Sequence, residues 1–197
     1  MIFFGLFIIA VGAGLYFTNQ EPTSAGTMTT VKKLFNLPDV NPDVQGGSFK
    51  RDYDLEFQSV SDETGVPFAL LKAHAIRESS LNEKAFRDEN PSKRTDRIGW
   101  ASRGLMQILW WPNSNRWGKY GFPDATLGPM GENMFNPYIN IKIAAHLIRD
   151  NLNACGGNVR DAINMYNTGK KEAQYQAPHD YVNKVLSSYE TLIKRKV

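Results

Sequence analysis

The sequence predicts a mostly α-helical protein, and three observations carry that expectation. Apolar residues recur at helical spacings of three and four, as in Tyr138, Ile141, Ala145, Ile148 and Leu152. Helix-start signals stand directly ahead of such stripes, with Asn136-Pro137 before one and Asn158 with Asp161 before another. No run of alternating Val, Ile or Thr supports a substantial sheet.

The chain opens with an uncharged run, Ile2 to Phe17, rich in Ile, Phe and Gly. It is slightly shorter than the roughly 20 apolar residues a spanning helix needs. A secretory signal begins with a positive segment, yet no Lys or Arg precedes Lys32, and the small-residue stretch Gly12-Ala13-Gly14 falls inside the apolar run. Residues 1–17 are therefore expected to be an uncleaved membrane anchor, with a cleaved signal as the alternative. Residues 18–47, with Pro22, Pro38, Pro42, Gly26, Gly46 and Gly47, read as a linker, in which Val31 to Phe35 has room for one helical turn. The remaining residues, 48–197, are expected to form the folded domain.

In that domain Asp54 to Thr64 carries Leu55, Phe57 and Val60 and stops at Gly65, a good C-cap residue. Val66 to Ser80 follows as an amphipathic helix with Pro67 near its first turn and Phe68, Leu71 and Ala75 on its core stripe. A polar stretch from Phe86 to Ser102, with Arg87, Lys93, Arg94, Arg97 and Arg103 in or beside it and Pro91 within, reads as an inserted loop. The helix after Asn158 buries Val159, Ala162, Ile163 and Tyr166. A last helix from about Pro178 carries Tyr181, Val185, Tyr189 and Leu192, with Lys194-Arg195-Lys196 complementing its C-terminal dipole.

Glu78 is out of place in this pattern. It lies three residues after Ala75 and seven after Leu71, on the core-facing stripe. Desolvation there would raise the pKa of its carboxyl, and an acid that stays protonated near neutral pH can act as a general acid. The alternative is that the helix ends by Ser79 and leaves Glu78 solvated.

Four segments in order weigh on that choice: Glu78-Ser79-Ser80, Gly104-Leu105-Met106-Gln107-Ile108, Ala162-Ile163-Asn164-Met165-Tyr166-Asn167-Thr168-Gly169, and Tyr181-Val182-Asn183-Lys184-Val185. Over about Ser48 to Leu192 the chain resembles the soluble-type lytic transglycosylases, a family of lysozyme-like fold that cleaves peptidoglycan. The small residues usual on either side of Tyr-Asn are here Met165 and Thr168, while Tyr166, Asn167 and Gly169 keep their places.

The resemblance implies that Glu78 is the catalytic acid. It would protonate the leaving oxygen of the β-1,4 bond between N-acetylmuramic acid and N-acetylglucosamine. The muramic acetamido group then stabilises C1, and Glu78, now a base, takes the proton of the C6 hydroxyl, giving a 1,6-anhydro end. Asp161 starts a helix and Asp88 and Glu89 fall in the polar loop, so no second acid stands within the motifs. Ser79, Gly104, Gln107, Tyr166 and Asn167 are the candidate substrate-binding residues. Ser79 either bonds near the sugar or caps its helix. Gly104 either lets substrate approach the backbone or serves a turn. Gln107 offers a donor and an acceptor to sugar groups. Tyr166 either bonds the Glu78 carboxyl or the acetamido group, or packs in the core. Asn167 orders the following loop or touches sugar. Trp110, Trp111 and Trp117 either stack on a glycan or pack, with packing expected for at least two.

Other functions fit poorly. The chain has 197 residues, 12% aromatic, and net charge +3 with pI near 8.9. That length and aromatic content suit one packed domain. The basic residues are dispersed, which argues against nucleic acid, while a mild positive balance suits an anionic wall polymer. Cys155 is the single cysteine, so it has no disulfide partner within the chain, and beside Gly156-Gly157 it reads as a packing residue. His74, His146 and His179 show no metal-ligand spacing, so no metal or cofactor is expected. The partners expected are peptidoglycan glycan strands and a membrane through residues 1–17, with the catalytic domain on the periplasmic or wall side. Small size without wall-binding repeats points to the specialised enzymes that open the wall for a secretion or conjugation machine or for phage DNA, in the last case from a virion membrane. Two rivals stay open: a hydrolytic muramidase of goose-type lysozyme character, and a non-catalytic wall-binding module.

Overall fold

The computed structural model describes residues 52–90, 92, 95–171 and 180–194. The anchor and linker expected over 1–47 lie outside these residues, as do Pro91, Lys93, Arg94, Pro178, His179, Arg195 and Lys196. Among the described residues no helix is long and apolar enough to cross a membrane.

Six α-helices, three short 3-10 helices and three short strands make up the regular structure of the described residues. Helix α1 (Asp54–Thr64) ends where Gly65 turns left-handed at φ 72° and donates its N–H to the Ser61 carbonyl, the closure expected of a C-cap glycine. Phe57 and Val60 point inward, but Leu55 is 68% exposed, because standing two residues before Phe57 places it on nearly the opposite side of the helix. Helix α2 (Phe68–Ser79) starts behind Pro67 and is buried nearly all round along Phe68 to Leu71 and Ala73 to Ala75. It is the central helix, packing most extensively against α6 (Asp180–Lys194).

Helix α4 (Pro137–Ala154) begins as expected: the Asn136 side chain accepts from the Ile139 N–H at 3.2 Å and Pro137 occupies the first helical position. Its stripe Ile141, Ala145, Ile148 and Leu152 is buried, and Tyr138 is half-buried. Helix α5 (Val159–Thr168) is capped by Asn158, which accepts from the Asp161 N–H at 3.2 Å, and closed by Gly169 at φ 73°. Helix α3 (Asp124–Leu127) is a single turn. The last helix, α6, buries Tyr181, Val182, Val185 and Tyr189.

The segment read as an inserted loop is instead partly sheet. Strands β1 (Phe86–Asp88), β2 (Ala101–Arg103) and β3 (Ile108–Trp110) form an antiparallel ribbon in that order, with Asp88 opposite Ala101 and Arg103 opposite Ile108. Three-residue strands are too short to print an alternation in the sequence, and β1 is exposed throughout while β2 is buried throughout. Two of the three indoles, Trp110 at the end of β3 and Trp117 beyond it, are packing residues. Trp110 and Trp117 are buried at 1% and 2% exposure, and Trp111 stacks on Trp100 with ring centres 4.6 Å apart. Cys155 is buried too, its thiol 3.2 Å from the Met165 sulfur.

Candidate active site

Helix α2 does end at Ser79, yet Glu78 is half-buried rather than freely solvated. Ser80 turns left-handed at φ 54° and directs the chain away, so the last helical turn still faces the cleft formed with the ribbon, α4 and α5. The cleft has a volume of about 410 Å³, and Glu78, Glu89, Gln107, Arg116, Tyr166 and Asn167 are among the residues that line it.

The Glu78 carboxyl is held by a residue from the far end of the chain. Tyr181 Oη on α6 donates to Glu78 Oε1 at 2.5 Å. Burial pushes the Glu78 pKa above its ordinary value; the Tyr181 bond and the charges of Arg87 and Arg77 oppose that rise, and the charge of Glu89 adds to it. Desolvation prevails. The geometry is that of a carboxyl group held and oriented beside a solvent-accessible groove.

Behind Tyr181 sits His74, one turn before Glu78 on α2 and completely buried. Its Nδ1 lies 3.1 Å from Tyr181 Oη, and its ring packs against Tyr166 at 4.9 Å between centres. Burial lowers its pKa to about 3, so the ring is neutral at ordinary pH.

Tyr166 does not bond Glu78. Its hydroxyl donates to the Met106 carbonyl at 2.7 Å and so ties α5 to the turn between β2 and β3. The same turn is clamped from α4 by Asn140, which is 1% exposed. Asn140 Oδ1 accepts from the Met106 N–H at 2.7 Å, and its Nδ2 donates to the Arg103 and Met134 carbonyls at 3.0 and 2.9 Å.

Gly104 packs against this clamp. At φ +74°, a Cβ there would stand 2.7 Å from both Asn140 Nδ2 and the Met134 carbonyl. Gln107, at φ 47°, faces the cleft and spends Nε2 on the Ala85 and Gly104 carbonyls at 3.2 and 3.1 Å, so its amide oxygen is what it has left to offer. Ser79 caps its helix: Oγ donates to the Ala75 carbonyl at 3.2 Å and accepts from the Asn82 N–H at 3.2 Å. Asn167 is exposed at the cleft wall.

Glu89, assigned on sequence to a loop outside the motifs, reaches the same cleft because it directly follows β1, which pairs with β2. Its Oε1 accepts from Arg87 Nε at 2.6 Å and from Ser102 Oγ at 2.7 Å. Tyr181, His74, Asn140 and Glu89 are the residues sequence reasoning missed as site components. Tyr181 alone carried a signal, standing in the fourth ordered segment.

The family model described as "Transglycosylase SLT domain" matches residues 56–184, which span the cleft and all the side chains above. The chain belongs to the SLT transglycosylase family. This is a family of peptidoglycan lytic transglycosylases, and the mostly α-helical fold agrees with its lysozyme-like architecture. No solved structure matches the chain. Within this SLT domain no group of three or more His, Cys, Asp or Glu side chains is placed to hold a metal ion, among the described residues.

Proposed function

We propose that this SLT domain cleaves the β-1,4 bond between N-acetylmuramic acid and N-acetylglucosamine and leaves a 1,6-anhydromuramic end. The observation that carries the reading is Glu78: a half-buried carboxyl of raised pKa at a groove, with one oxygen already bound by Tyr181. In the first step the Glu78 proton passes to the leaving O4 as the C1–O4 bond breaks, and the substrate's acetamido oxygen stabilises C1. In the second, the Glu78 carboxylate takes the C6 hydroxyl proton while O6 bonds to C1. Glu78 ends as it began, and no water is consumed. The C6 hydroxyl is tethered to the reacting ring, and such intramolecular nucleophiles reach effective concentrations of about 10⁵ M or more when well oriented.

Cationic groups on the cleft wall suit a polymer whose peptide stems carry carboxylates. Arg116 is one of them, its guanidinium 5.2 and 4.7 Å from the Trp111 and Trp117 ring centres. Mass spectrometry of digested peptidoglycan tests the reading. The expected muropeptides are one water lighter than hydrolysis products and lack an end that borohydride can reduce.

A second reading, the hydrolytic muramidase, is favoured by one observation: Glu89 lines the same cleft as Glu78. A carboxylate there is a candidate base for water, although Oε1 already accepts two hydrogen bonds. Reducible, hydrated ends would establish it.

For the chain's placement we propose, on the sequence alone, that residues 1–17 anchor it in a membrane with the SLT domain on the wall side. There it would open the wall locally for a secretion or conjugation machine or for phage DNA. The support is the uncharged run Ile2 to Phe17. Full-length protein is expected to sediment with membranes and resist high-salt extraction, and recovery of a chain lacking these residues would overturn the anchor.

A further inference from the structure

The buried His74 has no part in the chemistry described above, yet it is the only described group besides Glu78 that hydrogen-bonds the Tyr181 hydroxyl. We infer that His74 is a positioning residue that fixes the direction of the Tyr181–Glu78 hydrogen bond, and thereby places the catalytic proton on Glu78 Oε2, the oxygen Tyr181 leaves free. The inference rests on the reading of Glu78 as the general acid.

The three groups form a line, His74 Nδ1, Tyr181 Oη and Glu78 Oε1, at 3.1 and 2.5 Å. Two proton orders are compatible with these distances. In one, Nδ1–H donates to Tyr181 Oη, and the tyrosine proton is donated to Oε1. In the other, a proton on Oε1 is donated to Tyr181, which donates in turn to a bare Nδ1, so the ring must carry its hydrogen on Nε2.

The surroundings of His74 separate the two. The ring is fully buried, and Nε2 has no hydrogen-bond partner among the described residues. An N–H buried without an acceptor forfeits its whole solvation, and such orphans are rarer in proteins than undersatisfied acceptors. A bare Nε2 therefore costs less there than Nε2–H. The neutral ring then carries its hydrogen on Nδ1, and the single tyrosine proton points at Oε1.

The consequence for Glu78 is positional. With Oε1 acting as an acceptor, the proton of the neutral acid resides on Oε2. After transfer to the leaving oxygen, the same tyrosine bond stabilises the carboxylate, and the proton from C6 returns to Oε2. Reversing the line would put the acid proton on Oε1, aimed into the protein. Other groups also act on Glu78: Arg77 from α2, Arg87 and Glu89 from β1 and its continuation, and Tyr166 from α5. His74 alone among the described residues acts through Tyr181 by a hydrogen bond.

Two measurements test this. Long-range proton–nitrogen correlation of the full chain labelled on histidine reads the tautomer directly and needs no activity. The expected result is Nδ1 protonated and Nε2 bare at neutral pH; the opposite tautomer overturns the inference. The second compares His74→Leu with His74→Asn, whose side-chain amide nitrogen replaces Nδ1 as a donor to Tyr181. In H74L, kcat falls about tenfold, the scale of one buried hydrogen bond, with KM unchanged because His74 does not reach the cleft. The alkaline limb of kcat/KM moves up, since Tyr181 is then free to accept from the protonated acid. In H74N, both kcat and the limb return toward wild type. Equal losses in H74L and H74N with an unmoved limb would reduce His74 to packing and sink the inference. An active Glu78→Gln control would instead sink the reading beneath it.

Discussion

Tyr181 Oη donates to Glu78 Oε1 at 2.5 Å across 103 residues of sequence, joining the central helix to the last one at the reacting carboxyl. The bond opposes the burial that raises the Glu78 pKa. Tyr181→Phe therefore removes both an orienting contact and the support of the carboxylate form. Hydrogen bonds to a charged group are worth about 1.5–3 kcal/mol, so kcat is expected to fall by about 10- to 10²-fold. The Glu78 pKa should rise further, moving the alkaline limb of the rate profile to higher pH. A limb that moves down, or stays, would contradict this account of the bond.

The same raised pKa makes the acid a cost to stability. Folded protein holds the Glu78 proton more tightly than unfolded protein, whose carboxyl titrates near the ordinary 4.5. Below that pH both states are protonated and Glu78 contributes nothing. As pH rises through the raised folded value, the folded state comes to bear a partly desolvated charge and stability falls. Glu78→Gln is thus expected to abolish wall lysis, a loss of about 10² to 10⁴-fold or more, and yet to raise Tm at neutral pH. The gain should vanish on acidification below the ordinary carboxyl range, as differential scanning calorimetry at several pH values would show.

Asn140 holds the turn that carries Gln107. Replacing it with Leu strands the Met106 N–H and the Arg103 and Met134 carbonyls, all of which it now satisfies. An unsatisfied buried polar group costs about 1–3 kcal/mol, so Asn140→Leu should lose at least about 3 kcal/mol in urea unfolding. Gly104→Ala attacks the same clamp from the other side, through a left-handed φ and a Cβ overlapping Asn140 Nδ2. Since one feature is damaged in both, the double variant should lose less than the sum of the singles. Additive losses would show that the clamp is not shared.

What was legible in the sequence was local. Asn136 with Pro137, Asn158 with Asp161, and the glycine at 65 write helix ends into neighbouring residues, and the structure uses each as read. Glu78 was legible because its stripe neighbours Leu71 and Ala75 are apolar, so the carboxylate broke a pattern. Long-range partners left no such trace. Tyr181 satisfied helical periodicity as a core residue, and its hydroxyl bond to Glu78 depends on how α6 lies against α2. Asn140 sat unremarked inside the stripe of α4, because nothing in its neighbours says that a turn 34 residues earlier needs an amide. Ser79 had two plausible partners and the nearer one, its own helix backbone, took it. Glu89 was hidden by the shortness of β1, whose pairing with β2 brings it to the cleft.

Glu89 also provides the sharpest test between the two chemistries. Its charge raises the Glu78 pKa, so Glu89→Gln should let that pKa fall and move the alkaline limb of kcat/KM to lower pH. Under the transglycosylase reading Glu89 takes no proton from water, and the variant should still release anhydro ends at neutral pH. The rate lost should be the part explained by the shifted limb. Under the muramidase reading Glu89 is the base for water, and its loss should remove hydrated ends by about 10² to 10⁴-fold, the usual contribution of a positioned base. Arg87 and Ser102 both donate to Glu89 Oε1, and a Gln side chain still offers an oxygen to them, so the ribbon should stay folded and the comparison clean. Product mass and limb position are independent readouts of the same variant. Anhydro products with a lowered limb identify Glu89 as an electrostatic neighbour of the acid, whereas disappearance of a hydrated product makes it the second catalytic carboxylate.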